Sequence, residues 1–172
     1  MGSMLLKPMM ALMTAVGLLS ESTLYHQEKE QRDLSMNASS DGRSVIFNAD
    51  HAVGSGLYVL DLSTSKVREL TYSKAQEDAP AFSPNGRRII YAASEGSTTA
   101  HLYTYSLADK VRKRLTDTAG TYDDMPSFSA DGTKIVFARA LLHRPYSMGG
   151  WTWDHWDIYV MRSDGMGLRR LT

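Results

Sequence analysis

The chain has 172 residues, with Lys plus Arg and Asp plus Glu at 19 each and no cysteine. That balance leaves no bulk field toward nucleic acid or an anionic membrane. The missing cysteine excludes disulfides, thiolate chemistry and cysteine-based zinc sites. The length is enough for one ordinary domain with a sizeable core.

Residues 1–32 differ from the rest. Met1-Gly2-Ser3 stands before Met4, and Lys7 precedes an apolar run from Pro8 to Leu19 that ends in Ser20-Glu21-Ser22. A cation, an apolar run and a polar exit resemble a secretory signal, although no Ala-x-Ala cleavage pattern follows. The run is too short to span a bilayer. A Met-, Leu- and Ala-rich packing helix fits the same residues. The first reading implies a periplasmic or otherwise exported protein, the second a cytoplasmic one. Glu21 to Arg32 is a polar lead-in, in which Thr23-Leu24-Tyr25 has the pattern of an edge strand.

From residue 33 the chain repeats. Asn37-Ala38-Ser39-Ser40-Asp41-Gly42-Arg43-Ser44-Val45-Ile46-Phe47 returns as Ala81-Phe82-Ser83-Pro84-Asn85-Gly86-Arg87-Arg88-Ile89-Ile90-Tyr91, and again as Ser127-Phe128-Ser129-Ala130-Asp131-Gly132-Thr133-Lys134-Ile135-Val136-Phe137. Asp-Gly or Asn-Gly between apolar runs signals a hairpin, with the type I′ turn as the first expectation. The glycines are 44 and 46 residues apart. Alternating runs follow at Leu57-Tyr58-Val59-Leu60, Leu102-Tyr103-Thr104-Tyr105 and Ile158-Tyr159-Val160-Met161. Leu70-Thr71, Leu115-Thr116 and Leu171-Thr172 close the units. Four short strands every 40–50 residues or so make one propeller blade. The expected class is therefore all-β, a partial or half propeller of three four-stranded antiparallel blades at 33–71, 72–116 and 117–172, after a helical or signal-like segment at 1–32.

Asp123-Asp124-Met125-Pro126-Ser127-Phe128-Ser129, Asp157-Ile158-Tyr159-Val160-Met161 and the closing Leu171-Thr172 resemble the WD40-like repeat of the TolB propeller family. Glu77-Asp78-Ala79-Pro80-Ala81-Phe82-Ser83-Pro84-Asn85-Gly86 matches the same pattern, and the first unit keeps only its core. The resemblance covers about residues 33–172. It implies that the segment before each tight turn is the innermost strand and that the outermost strand ends at Leu-Thr. It also implies a periplasmic protein that meets protein partners at the channel mouth. Fold alone does not carry function, so this stays an expectation. The runner-up is the propeller portion of an enzyme, a gating domain of a prolyl-oligopeptidase-like hydrolase or a sugar lyase.

Charged outer segments such as Lys66-Val67-Arg68-Glu69 and Lys110-Val111-Arg112-Lys113-Arg114 read as solvated edge strands rather than as a nucleic-acid patch. Three blades do not close a ring, since propellers have about four to eight. Either the chain is a segment of a longer propeller, or two copies form a homodimer that closes a six-bladed ring.

Chemistry belongs where the repeat is broken. Phe137 to Tyr159 spans 22 residues, against 12 from Tyr91 to Tyr103 and 11 from Phe47 to Tyr58. The interval from Arg139 to Trp156 reads as an inserted loop over the channel mouth and holds Trp151, Trp153 and Trp156 with His143, Arg144, Tyr146 and His155. Trp, Tyr and Arg on an exposed loop are residues of interface hot spots. A lid packed over the blade is the bland alternative, and stacking on a carbohydrate ligand is a variant of the binding reading. His143, His155 and Asp154 with the mouth acids lack a recurring ligand spacing, so no metal is assigned. No Gly-x-Ser-x-Gly, phosphate-cradling loop or His-Glu-x-x-His is present, so no catalytic residue and no cofactor are assigned. Glu77 and Asp123 are expected to ring the mouth as ligand-binding acids. Asp78 and Asp124, two residues before Pro80 and Pro126, are expected to cap the turns that enter their strands. The reading is a non-enzymatic binding or scaffolding module with a protein or carbohydrate ligand.

Overall fold

The computed structural model describes residues 34–50, 53–94, 99–142 and 153–172. The segment at 1–32, with its signal or helix reading, lies outside the described residues. Twelve strands form three four-stranded antiparallel sheets, and no helix occurs among the described residues. Blade 1 holds β1 (Met36–Ala38), β2 (Ser44–Asp50), β3 (Ser55–Asp61) and β4 (Lys66–Glu69). Blade 2 holds β5 (Gln76–Phe82), β6 (Arg88–Ser94), β7 (His101–Ser106) and β8 (Arg112–Arg114). Blade 3 holds β9 (Thr121–Phe128), β10 (Lys134–Leu142), β11 (Trp153–Arg162) and β12 (Arg169–Arg170). Within each sheet, the spatial order is the chain order. This is the all-β propeller blade that the repeat implies.

The blades stack face to face because alternation gives each sheet two apolar faces. Ile46 and Leu57 of blade 1 pack with Ile89, Tyr91, Ala93 and Tyr105 of blade 2. The other face of blade 2, with Ile90, Ala92 and Leu102, packs with Ile135, Phe137 and Met161 of blade 3. An aromatic pair recurs at one register position in every blade: Phe47–Tyr58, Tyr91–Tyr103 and Phe137–Tyr159, with centroids 5.6, 5.9 and 5.8 Å apart. The series ends at the far face of blade 3. Ile46 and Ile90 are 0 % exposed whereas Val136 in the same place is 38 % exposed, and Ile158 is 39 % exposed where Leu57 and Leu102 are 0 %.

The hairpin turns depart from the type I′ expectation. Gly42 N donates to Ser39 O at 2.9 Å, and Gly86 N and Gly132 N repeat that bond to Ser83 O and Ser129 O at 2.8 Å. Only the glycines take positive φ, at 69°, 65° and 70°, while Asp41, Asn85 and Asp131 do not. Each loop is thus a four-residue connection built on a type I turn with glycine at its end. The side chains explain the choice. Asp131 Oδ1 accepts from Ser129 Oγ at 2.6 Å and from Thr133 N at 3.0 Å, and Asp41 does the same with Ser39 and Arg43. These bonds hold Asp131 down at about 2, with the Ser129 hydroxyl as the largest cause. A carboxylate depressed by folding contributes stability that is present above its unfolded value and is lost as pH falls through the folded one. Asp131→Asn is accordingly expected to flatten the loss of thermal stability between about pH 4 and pH 2, read by calorimetric melting. The middle turn, with Asn85 making the same bonds to Ser83 and Arg87, has no carboxylate to titrate.

The Leu-Thr marker is a latch. Leu70, Leu115 and Leu171 donate their N–H to the carbonyls of Leu57, Leu102 and Ile158 at 2.8, 2.8 and 2.7 Å. The threonine hydroxyls accept from the N–H of those same residues, each at 2.9 Å. Leu102 is fully buried, so Thr116→Val orphans its N–H. The expected loss is about 1–3 kcal/mol in urea unfolding, whereas Thr116→Ser keeps the acceptor and most of the stability.

Candidate binding face

Inner strands β5 and β9 each carry a bulge. Asp78 pairs with Ala92 and Ala81 with Ile90, which leaves Ala79-Pro80 opposite one residue; Met125-Pro126 is set the same way opposite Phe137. Ala79 and Met125 take positive φ, at 47° and 51°. The preceding carboxylates hold these strained residues, since Asp78 and Asp124 each accept the next backbone N–H at 2.7 Å. The two aspartates therefore brace a bulge within the strand rather than cap a turn before it. Proline fits at the bulge because no ladder N–H is required of it there.

Glu77 and Asp123 do not open onto a mouth. They are 1 % and 0 % exposed and lie in the blade interfaces. Asp123 takes a bidentate pair from Arg139, Nε to Oδ1 at 2.5 Å and Nη2 to Oδ2 at 2.8 Å. Glu77 accepts from the Thr71 hydroxyl and sees Arg112 at 4.0 Å. Arg112 lies 3.8 Å from the centroid of the Tyr103 ring, so it is a neutralising and stacking group rather than a purely solvated edge residue. Burial pushes the Glu77 carboxyl up, opposed by the Thr71 hydrogen bond and the Arg112 charge. Sequence reasoning missed Arg139 and Arg112 as partners. The only signal was the aligned register, in which Arg139 replaces Ala93 and Leu168 replaces Arg112. Blades 2 and 3 each supply one cation for the buried acid, from β8 and from β10.

In the interval from Arg139 to Trp156, the described residues 139–142 and 153–156 belong to paired strands. β10 and β11 run to Leu142 and from Trp153, with Leu141 opposite Asp154 and Leu142 opposite Trp153. Strand pairing satisfies backbone groups that a loop of that length would leave to water. Thr121, the first residue of β9, also pairs with Leu141, so the end of β10 and the entry to the inner strand share one edge of the blade. His155 and Trp156 stand opposite Ala140 as a bulge, with His155 at φ 60°. The bulge turns Trp156 toward Tyr122, edge to face at a centroid distance of 6.1 Å, and leaves its indole 46 % exposed. Met125 and Leu141 are exposed too. His143, Arg144, Tyr146 and Trp151 lie outside the described residues, and Trp153 is placed by its backbone alone. No group of three or more His, Cys, Asp or Glu poised for a metal occurs among the described residues.

Comparison with known proteins agrees with this architecture. The family described as TolB beta propeller domain matches residues 21–145. A Tol-Pal system protein TolB from Francisella tularensis subsp. holarctica is 37 % identical over 79 residues, which is 45 % of this chain and 18 % of that protein. Among solved structures, a putative TolB from Agrobacterium tumefaciens aligns with TM-score 0.65 and 21 % identity, over 80 % of this chain and 47 % of that one. TolB from Acinetobacter baumannii aligns with TM-score 0.62 and 26 % identity, over 81 % of this chain and 32 % of that one. The chain thus spans less than half the length of each of these relatives. It belongs to the TolB beta propeller family.

Proposed function

We propose that this member of the TolB beta propeller family is a non-enzymatic binding module that takes a protein partner, a component of the Tol-Pal system, in the periplasm. The observation that carries the reading is Trp156, nearly half exposed on a braced hairpin at the edge where the inner strand begins. A large aromatic with one flank packed and one flank open is the form that interface anchors take. His155 beside it, together with Trp151, Trp153, His143, Arg144 and Tyr146 of the same inserted interval, extends the proposed surface. Glu77 and Asp123 are left out of it, because their carboxylates are engaged within the blades. The likeness to Tol-Pal system proteins supports the partner class.

The test measures binding of immobilised Tol-Pal system proteins from the same organism by surface plasmon resonance. Trp156→Ala is expected to weaken binding by at least about 30-fold, the scale of an interface hot spot, with melting unchanged within about 2 °C. Binding that survives the substitution, or no binding by any Tol-Pal protein, overturns the proposal.

A further inference from the structure

Blade 1 sends three polar side chains into the inner strand of blade 2. Asn48 Nδ2 donates to Asp78 Oδ1 at 3.3 Å, the Ser35 hydroxyl donates to the same oxygen, and Asn37 Oδ1 accepts from Phe82 N at 3.1 Å. The ladder identifies the residues of blade 2 that hold the matching places against blade 3. Asn48 sits opposite Leu57 as Ala92 sits opposite Leu102. Asn37 sits opposite Ile46 as Ala81 sits opposite Ile90. Ser35, one residue before Met36, matches Ala79 in the aligned repeats. Three polar side chains at one junction are three alanines at the next, and Ala81 and Ala92 belong to the core between blades 2 and 3.

Asp124 holds in blade 3 the place that Asp78 holds in blade 2. Among the described residues its hydrogen-bond donor is its own neighbour, Met125 N. Ala138 faces it from β10, and the Arg139 guanidinium is taken up by Asp123. On β6, Ser94 is hydrogen-bonded to Tyr122, two residues before Asp124. The charged and titratable groups that bear on it are Asp78 on β5 and Tyr122 on its own strand.

We propose that the junction between blades 2 and 3 is a pH-responsive joint, tight while Asp124 carries a proton and loosened when it ionises, whereas donors from blade 1 pin the preceding junction. Burial first, then the Asp78 charge, pushes the Asp124 carboxyl up against the pull of Met125 N. A group raised by folding contributes fully below its unfolded value and loses that contribution as pH rises through the folded one. Asp124→Asn keeps the acceptor for Met125 N and removes the charge. Thermal melting of the whole chain is expected to rise by about 2–4 °C near pH 7.5 and to stay unchanged near pH 3.5. No change or a fall near pH 7.5 overturns the joint. Carbon-detected NMR titration of the unsubstituted chain gives an independent reading. A midpoint for the Asp124 carboxyl above the ordinary value of about 3.9 supports the proposal, and one at or below it overturns the proposal even if the variant fails to fold.

Discussion

Replacing Arg139 with methionine is expected to lower the stability of the chain by about 3–5 kcal/mol, the cost of leaving one member of a buried ion pair uncompensated. The guanidinium is 5 % exposed and closes on a carboxylate that water does not reach. Its Cζ also stands 5.4 Å and 5.1 Å from the ring centroids of Phe137 and Tyr159, so it completes the packing of the aromatic pair. Methionine keeps much of that apolar volume, which confines the loss mainly to the charge. Adding Asp123→Leu to Arg139→Met is expected to recover most of the stability, because a well-packed apolar pair often equals a buried salt bridge. Urea unfolding checks both variants. A single-variant loss below about 1 kcal/mol, typical of a surface pair, would contradict the buried geometry.

Gly54→Ala is expected to cost about 3 kcal/mol, from a left-handed backbone and overpacking together. Gly54 has φ +82°, and a Cβ built there would lie 2.2 Å from Ser73 O and 2.7 Å from Lys74 Cα. Both are backbone atoms, so no side chain can move aside. The clash falls where the chain crosses from blade 1 to blade 2. There Ser55 N donates to Ala75 O at 3.1 Å, and Ser55 Oγ receives Glu77 N at 2.6 Å. Gly42→Ala is the control: φ is +69° but nothing lies within 4 Å, so only the backbone term of about 1–2 kcal/mol remains. Equal losses for the two variants would show that crowding at Gly54 is not felt.

The blades were legible in the sequence because what defines them is local. Ser-x-Asp-Gly and Leu-Thr each act within one hairpin, through bonds to residues a few positions away or to the neighbouring strand. The turn type was misjudged because Asp-Gly serves both a two-residue and a four-residue loop. The Ser39, Ser83 and Ser129 hydroxyls that bond the Asp or Asn decide between them. Glu77 and Asp123 were misplaced for a different reason. An acid next to another acid reads as surface, and the cations that make burial tolerable come from residues 35 and 16 positions away. The extra length of β10 and β11 was hidden because the matching strands of blades 1 and 2 stop at six or seven residues. Trp156 was singled out by residue type and by its place in the inserted interval; its footing on Tyr122 needed the bulge at His155.

Native-state hydrogen exchange, resolved by peptide, tests most directly whether the blades stack in one register. Strand β6, covered by blade 1 on one side and blade 3 on the other, is expected to exchange slowest. Strands β10 and β11, whose inner face packs on blade 2 while Val136 and Ile158 meet water, are expected to open at lower free energy. Protection of β10 and β11 equal to or above that of β6 would contradict the account, because β6 would then not stand out as the strand packed on both faces.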